Sequence, residues 1–275
     1  MEPSPKSRQA LALAYGLACH GIFALAGLVM TLSLYTGLQY SLGAVPWPWA
    51  ALANLVLLAQ FPLAHSLLLT GPGRRLLSRF APAPHGKSLS TTVYAMIASV
   101  QLIMLFTLWN PSGLVVWQAT GWVFFAMTGL FGLSWLLLAK ASYDAGPELQ
   151  SGAMGWMALF QGKDPKFPDM PTTGLFKIIR QPIYVAFAMT LWTMPVWTAD
   201  QLTIAVTYTA YCYFAPRLKE RRFVSIYGDR FRAYQQAVPY WFPTFKRPGR
   251  KHAHDANDQE RPHDLRHSRR PMVER

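Results

Sequence analysis

The sequence predicts an all-α integral membrane protein of about six transmembrane helices, with a short helical hairpin near the C-terminus and long polar loops on the cytoplasmic side. Three observations predict it. Of the 275 residues, 52% are hydrophobic and only 14% charged, where soluble domains usually carry about a quarter. The apolar residues gather into runs that approach or exceed the roughly 20 residues a helix needs to cross a bilayer. Lys and Arg are confined to alternate connections, as the positive-inside rule requires.

In chain order, Leu11–Leu38 reads as the first span, with Gly16, Gly21 and Gly27 available for close helix contacts. The chain turns at Pro46-Trp47-Pro48-Trp49, tryptophans suited to a membrane interface. Ala50–Leu69 is the second span, kinked at Pro62. A basic loop with Arg74, Arg75, Arg79 and Lys87 leads to the third span, Thr91–Trp109. Asn110–Gly113 turns the chain into a fourth span over Val115–Ala139. The stretch Lys140–Gln181 is too long for an idle connection, and its Met154–Phe160 segment reads as a helix lying on the membrane surface. Pro182–Trp197 and Gln201–Phe214 then form two short apolar helices around a Thr198-Ala199-Asp200 turn.

This gives an N-terminus (1–10), an N-terminal four-helix transmembrane region (11–139), a C-terminal functional region (140–245) and a disordered basic tail (246–275). The turns near residues 43, 112 and 199 hold no Lys or Arg, so six crossings with both termini cytoplasmic satisfy every loop. The net charge of +13 has its partner in anionic membrane lipid, and nucleic acid is not expected. Cys19 and Cys212 fall inside predicted spans and read as small packing residues. No Cys/His spacing suggests a metal site, and no secretory signal peptide is evident.

The chemistry points to two segments, GLFKIIRQPIY at 174–184 and RLKERRFVSIYGDRFRAYQQAVP at 217–239. Neither a glycine-rich dinucleotide loop after a strand nor a P-loop is present, so any cofactor is held by helix ends and loops. Pro182 suits the first position of a helix, whose free N–H groups would seat a carboxylate beside Arg180 and Lys177. The same two cations would serve equally as interfacial lipid contacts. Arg217, Glu220, Arg221 and Tyr227 continue the last span beyond the lipid, either as part of a site or as a snorkelling, salt-bridged helix end. His65, at the inner end of the second span, reads either as a substrate-orienting group or as a satisfied structural histidine.

The order G-L-F-x-x-x-R-x-P-x-Y, a hairpin, R-x-x-E, then Y-G-x-x-F-x-x-Y-x-x-x-V-P resembles the C-terminal half of the isoprenylcysteine carboxyl methyltransferase superfamily. AHS at 64–66, RRLLSRFAPAP at 74–84, TTVYAMIAS at 91–99 and LWNPSGLVVW at 108–117 resemble its NnrU-like branch, which includes enzymes that methylate methanethiol. The likeness covers nearly all of residues 11–243. It implies a membrane methyltransferase using S-adenosylmethionine, its cofactor held by cytoplasmic loops. Carried over position by position, the cofactor would touch Gln161, Pro168, Asp169, Met170, Pro171, Phe176, Gln181, Pro182, Ile183, Tyr184, Lys219 and Glu220.

Two positions depart from the family pattern. Gln181 replaces a histidine, and still offers a hydrogen-bond donor. Lys219 replaces the first acid of a pair, which reverses a charge near the expected sulfonium unless the side chain turns outward.

Arg180 and Glu220 are the expected catalytic groups, and His65, from its place in the span, and Arg217 the expected substrate-binding ones, a thiolate being favoured near Arg180 or Arg217. The implied substrate is a small apolar thiol such as methanethiol, converted to dimethyl sulfide. A lipid-like acceptor, an isoprenoid-linked carboxyl or thiol, is the alternative within the class. Outside it stands a non-catalytic membrane assembly or transport partner. The expected location is the bacterial inner membrane.

Overall fold

A computed structural model describes residues 4–243. The helices are α1 (Pro5–Tyr35), α2 (Trp49–Leu68), α3 (Gly71–Leu77), α4 (Gly86–Thr107), α5 (Gly121–Asp144), α6 (Pro147–Gln150), α7 (Ala153–Gln161), α8 (Pro182–Thr190), α9 (Ala199–Tyr227) and α10 (Asp229–Ala237). Two short strands, β1 (Val115–Gln118) and β2 (Val196–Thr198), complete the described residues, with 3-10 turns at Ser78–Phe80 and Gly174–Lys177. This is an integral membrane protein. Among the described residues, α1, α2, α4 and α5 are the four helices long and apolar enough to cross a bilayer. Their outer faces carry exposed large apolar side chains, Leu17 at 77% and Phe125 at 74%, a pattern that lipid tolerates and water does not.

The expected boundaries of the first three spans hold to within a few residues, but three expectations are overturned. The fourth span starts later, because Val115–Gln118 is extended and α5 begins at Gly121. Pro182–Trp197 is not one helix: α8 stops at Thr190, ahead of Pro195, and the chain pairs as a strand before turning into α9. Nine residues of α8 rise about 14 Å, too little for a crossing alone. The described residues remain mostly helical, as an all-α membrane protein requires, with this one short strand pair besides.

The third correction concerns Met154–Phe160. It forms α7, yet it packs between α1 and α4 rather than lying on a membrane surface. Ala153, Met154, Gly155 and Leu159 are buried. Gly155 permits the approach, since a Cβ there would lie 2.6 Å from the Ser88 carbonyl oxygen and 2.7 Å from the Thr91 and Thr92 hydroxyls. The Thr92 hydroxyl donates to the Gly152 carbonyl at 2.7 Å and accepts from the Trp156 backbone N–H at 3.0 Å.

Two apolar clusters fill the interior. One joins Leu34, Leu38, Leu57, Phe106, Phe131, Leu191, Ile204 and Tyr208. The other, nearer the α3–α4 connection, joins Ala12, Leu68, Leu77, Leu89, Val93 and Leu159. Polar side chains cross-link helices between them: Gln101 Nε2 donates to Gln60 Oε1 at 2.8 Å, and Gln60 Nε2 donates to the Gln101 carbonyl at 2.9 Å. With no hydrophobic gain for helix association inside lipid, such bonds and close packing hold the bundle.

At one end of the bundle, β1 and β2 form an antiparallel ribbon pairing Val115 with Thr198 and Trp117 with Trp197. Beside it, buried Asp200 accepts from Trp109 Nε1 at 3.0 Å, the Ser112 backbone N–H at 2.8 Å and the Ser112 hydroxyl at 2.7 Å. Thr198 caps α9 by accepting from the Gln201 N–H at 3.0 Å. From this end α8 and α9 carry Arg180 and Glu220 to the opposite end. The tail expectation for residues 246–275 lies outside the described residues.

Candidate active site

The site is built where α8 begins and where α9 extends past its apolar part. Asp144, the last residue of α5, anchors the approach: its Oδ2 accepts from the Leu175 N–H at 2.9 Å, while Lys140 pairs with Oδ1. Gly174 has φ +58°, and a Cβ there would lie 2.2 Å from Asp144 Oδ2. Only glycine fits that approach, which explains the first letter of the G-L-F element. The turn that follows buries Phe176 and delivers Arg180 and Gln181 to the start of α8, with Pro182 at its first turn.

Glu220 is the hub. It is 8% exposed and accepts four hydrogen bonds: from Arg180 Nε at 2.8 Å and Nη2 at 3.3 Å, Gln181 Nε2 at 2.8 Å, and Gln235 Nε2 at 2.7 Å. Arg180 also donates through Nη1 to the carbonyls of Gln235 (2.9 Å) and Val238 (2.5 Å), and its own N–H donates to the Pro239 carbonyl at 2.9 Å. A charge taken this far from water persists only when paired and bonded this fully. Arg180 thus latches the α10 segment over the site. The Tyr234 hydroxyl adds a second latch, donating to the Phe176 carbonyl at 2.7 Å; burial, partly opposed by the Arg180 charge, pushes it up to about 12, so it stays a donor.

Between these elements lies a narrow cleft. Pro171, Phe176, Arg180 and Gln181 line one side. Lys219, Glu220 and Phe223 of α9 and Phe231 and Tyr234 of α10 line the other. Its walls are aromatic and its polar groups converge, the usual character of a small-molecule site.

Of the residues singled out in the sequence, Pro171, Phe176, Arg180, Gln181, Lys219 and Glu220 therefore come together. Met170 is buried beside Pro171, Pro182 and Ile183 form the start of α8, and Tyr184 lies one turn on, its ring centroid 6.0 Å from Lys219 Nζ. The others are elsewhere. Gln161 is exposed at the end of α7, and Pro168 is exposed. Asp169, exposed, pairs with Arg230 of α10, whose hydrogen bond holds its carboxyl below the usual range. Arg217 lies over the rings of Tyr213 and Phe214 at 4.8 and 5.1 Å and is not on the cleft wall. His65 is likewise off the wall and shares a 2.8 Å hydrogen bond with the Tyr94 hydroxyl.

Phe223, Phe231, Tyr234 and Gln235 complete the site without having been assigned a site role from the sequence. Phe231 and Tyr234 belong to the Y-G-x-x-F-x-x-Y element, where spacing of three on a helix puts both on one face. Gly228, at φ +54°, breaks α9 from α10 and turns that face back over the cleft.

Two polar groups on the wall are unspent. Gln181 Oε1 is buried without a hydrogen-bond partner among the described residues; its amide nitrogen must face Glu220, so the oxygen cannot be exchanged for it. Lys219 makes no salt bridge or hydrogen bond among the described residues; its Nζ sits 5.4 Å from the Phe223 ring centroid. An acceptor oxygen and aromatic rings suit the ammonium and the sulfonium of a methyl donor. The residues present therefore fit such a group.

No family model matches the sequence, and no solved structure matches it. Curated proteins do. A methanethiol S-methyltransferase from Pseudomonas deceptionensis is 31% identical over 205 residues, 74% of this chain and 77% of that protein. Another, from Pseudomonas sp. (strain GM41(2012)), is 28% identical over 236 residues, covering 84% and 89%. Nurim from Mus musculus is 27% identical over 175 residues, covering 61% and 66%.

Proposed function

This chain belongs to the methanethiol S-methyltransferase family, and we propose that it transfers a methyl group from S-adenosylmethionine to a small thiol such as methanethiol, giving dimethyl sulfide. The observation that carries the reading is the convergence of Phe176, Gln181, Phe223, Phe231 and Tyr234 on one cleft around the Arg180–Glu220 pair. We further propose that this end of the bundle faces the cytoplasm of a bacterial inner membrane. The basic connections around Arg74, Arg75, Arg79 and Lys87 and around Lys163, Lys166 and Lys177 support that orientation. The C-terminal hairpin then supplies the fifth and sixth crossings.

When bound, S-adenosylmethionine supplies an electrophilic methyl carbon on a cationic sulfur. Phe223, Phe231 and Tyr234 on the cleft wall would stabilise that charge through their rings. The free Gln181 Oε1 would be available to accept from the amino-acid ammonium, and the first N–H groups of α8 would be available to hold the carboxylate. Arg180 and Glu220, tied to one another and to α10, fix the cleft's geometry and exclude water from it. The reaction then needs in-line placement more than covalent help. A small apolar acceptor and its product both reach and leave such a cleft through lipid.

The experiment is a calorimetric titration of the detergent-purified protein with S-adenosylhomocysteine, followed by headspace detection of dimethyl sulfide from enzyme, S-adenosylmethionine and methanethiol. Saturable binding and product formation are expected. No heat at millimolar ligand overturns the reading.

A further inference from the structure

The cleft holds three charged side chains, and two of them are consumed. Arg180 spends its guanidinium on Glu220 and on the carbonyls of Gln235 and Val238. Glu220 accepts from Arg180, Gln181 and Gln235. Neither can take a proton from a substrate or neutralise one without dismantling the latch that closes the site. Lys219 alone is free among the described residues. It has not turned outward: it lines the cleft, with its Nζ 6.0 Å from the Tyr184 ring centroid and 5.4 Å from that of Phe223.

A permanent cation there would repel a bound sulfonium. A neutral amine would not, and it is what a protonated thiol needs, since the thiolate is the nucleophile. We infer that Lys219 is the group that accepts the thiol's proton and then holds the thiolate in line with the methyl donor.

This rests on the methyltransferase reading given above. In the step, the S–H bond breaks and its proton goes to the Lys219 amine, leaving a thiolate beside an ammonium. A lone pair of the thiolate sulfur forms the new S–C bond as the carbon–sulfonium bond breaks, and the departing pair stays on the donor's sulfur. The products are dimethyl sulfide and a neutral thioether, and the ammonium returns its proton to water. The setting supports the role. Burial brings the Lys219 ammonium down to about 8, the adjacent Glu220 charge opposing and Arg222 adding to the shift. Facing it are Arg180 and Tyr184 from the 174–184 segment, Glu220 and Arg222 on its own helix, and Tyr234 from α10.

The competing assignment for a free cation in this cleft is the carboxylate of the methyl donor, and the test separates the two. Lys219→Gln and Lys219→Met, the latter keeping an unbranched stem against both rings, are compared with wild type in two assays. One is S-adenosylhomocysteine affinity by calorimetry; the other is the pH profile of methanethiol methylation. Both variants are expected to bind S-adenosylhomocysteine as the wild type does. At pH 7.5 they should lose on the order of 100-fold in kcat/KM, the usual worth of a positioned base.

Their rate should then climb steadily with pH as thiolate forms in solution, whereas the wild-type profile levels above about 8. A variant that keeps the wild-type rate and profile overturns the inference. So does a loss of about tenfold or more in S-adenosylhomocysteine affinity with kcat intact, which gives Lys219 to the donor's carboxylate. If the wild-type protein itself neither binds S-adenosylhomocysteine nor methylates methanethiol, the methyltransferase reading fails first.

Discussion

Arg180 and Glu220 stand forty residues apart in sequence and meet through two hydrogen bonds, Nε to Oε1 at 2.8 Å and Nη2 to Oε2 at 3.3 Å. Their side chains are only 12% and 10% exposed. The pair joins the start of α8 to the extension of α9, and through Gln235 and Val238 it also holds α10. Removing one partner strands a buried charge, which costs about 3–5 kcal/mol. Glu220→Gln should lower stability by roughly that amount and abolish S-adenosylhomocysteine binding, measured by thermal unfolding in detergent and by calorimetry. A variant with an unchanged melting profile and full affinity would show the pair to be dispensable.

The aromatic wall makes a separate prediction. Phe231 is buried, lies 5.4 Å from the Phe223 ring centroid, and lines the cleft. Phe231→Ala should weaken S-adenosylhomocysteine binding by about tenfold, or about 1.4 kcal/mol. Circular dichroism should remain that of a helical protein. Unaltered affinity would take Phe231 out of the site.

Gly174 is predicted to admit no side chain. Its φ of +58° and the Asp144 carboxylate beside it both exclude a Cβ. Gly174→Ala should shift Phe176 and cost about 1–3 kcal/mol of stability, together with a measurable loss of ligand affinity. Thermal unfolding and calorimetry read the two effects. A fully stable Gly174→Ala protein would mean the loop has another conformation.

At the opposite end, Asp200→Asn weakens the acceptor of the Trp109 and Ser112 bonds. Stability should fall by about 1–3 kcal/mol while S-adenosylhomocysteine affinity and kcat stay at wild-type values. Unfolding and activity measured on one preparation check both. A change in affinity would reveal coupling along α9.

Lys219 links stability to pH. Burial holds its folded-state value at about 8, below the ordinary lysine value of 10.5. Between them the unfolded chain binds the extra proton, so stability rises with pH across that window. The midpoint of thermal unfolding should increase from pH 8 toward pH 10 in the wild type. Lys219→Met should be the more stable protein at pH 7 and should lack that increase. Identical profiles would place the ammonium in contact with water.

Much of this was legible in the sequence because lipid imposes one rule along a whole helix. The starts and ends of α1, α2 and α4 follow from where the apolar runs meet Pro, Gly or charge. The convergence of Arg180, Gln181 and Glu220 was also legible, since a short hairpin returns its two ends to one place. What was hidden was set by partners rather than by local pattern. α7 has the apolar stripe of a surface helix, yet Gly155 and the Thr92 hydroxyl draw it into a groove. Val115–Gln118 reads as helix until Val196–Thr198 offers it a strand. Arg217 was marked by charge and His65 as a polar residue within a span, but Arg217 lies over Tyr213 and Phe214 and His65 Nε2 is bonded to Tyr94, both off the cleft wall.

The β1–β2 ribbon gives the bundle an uneven stiffness. Strand pairing, the Asp200 clasp and the bond from the Thr198 hydroxyl to the Gly37 carbonyl at 2.7 Å rivet that end together. At the other end, α10 is fastened mainly through side chains, which exchange partners more readily than a backbone ladder does. Any breathing of the molecule is thereby steered toward the cleft, like a book bound along one edge and free to part along the other.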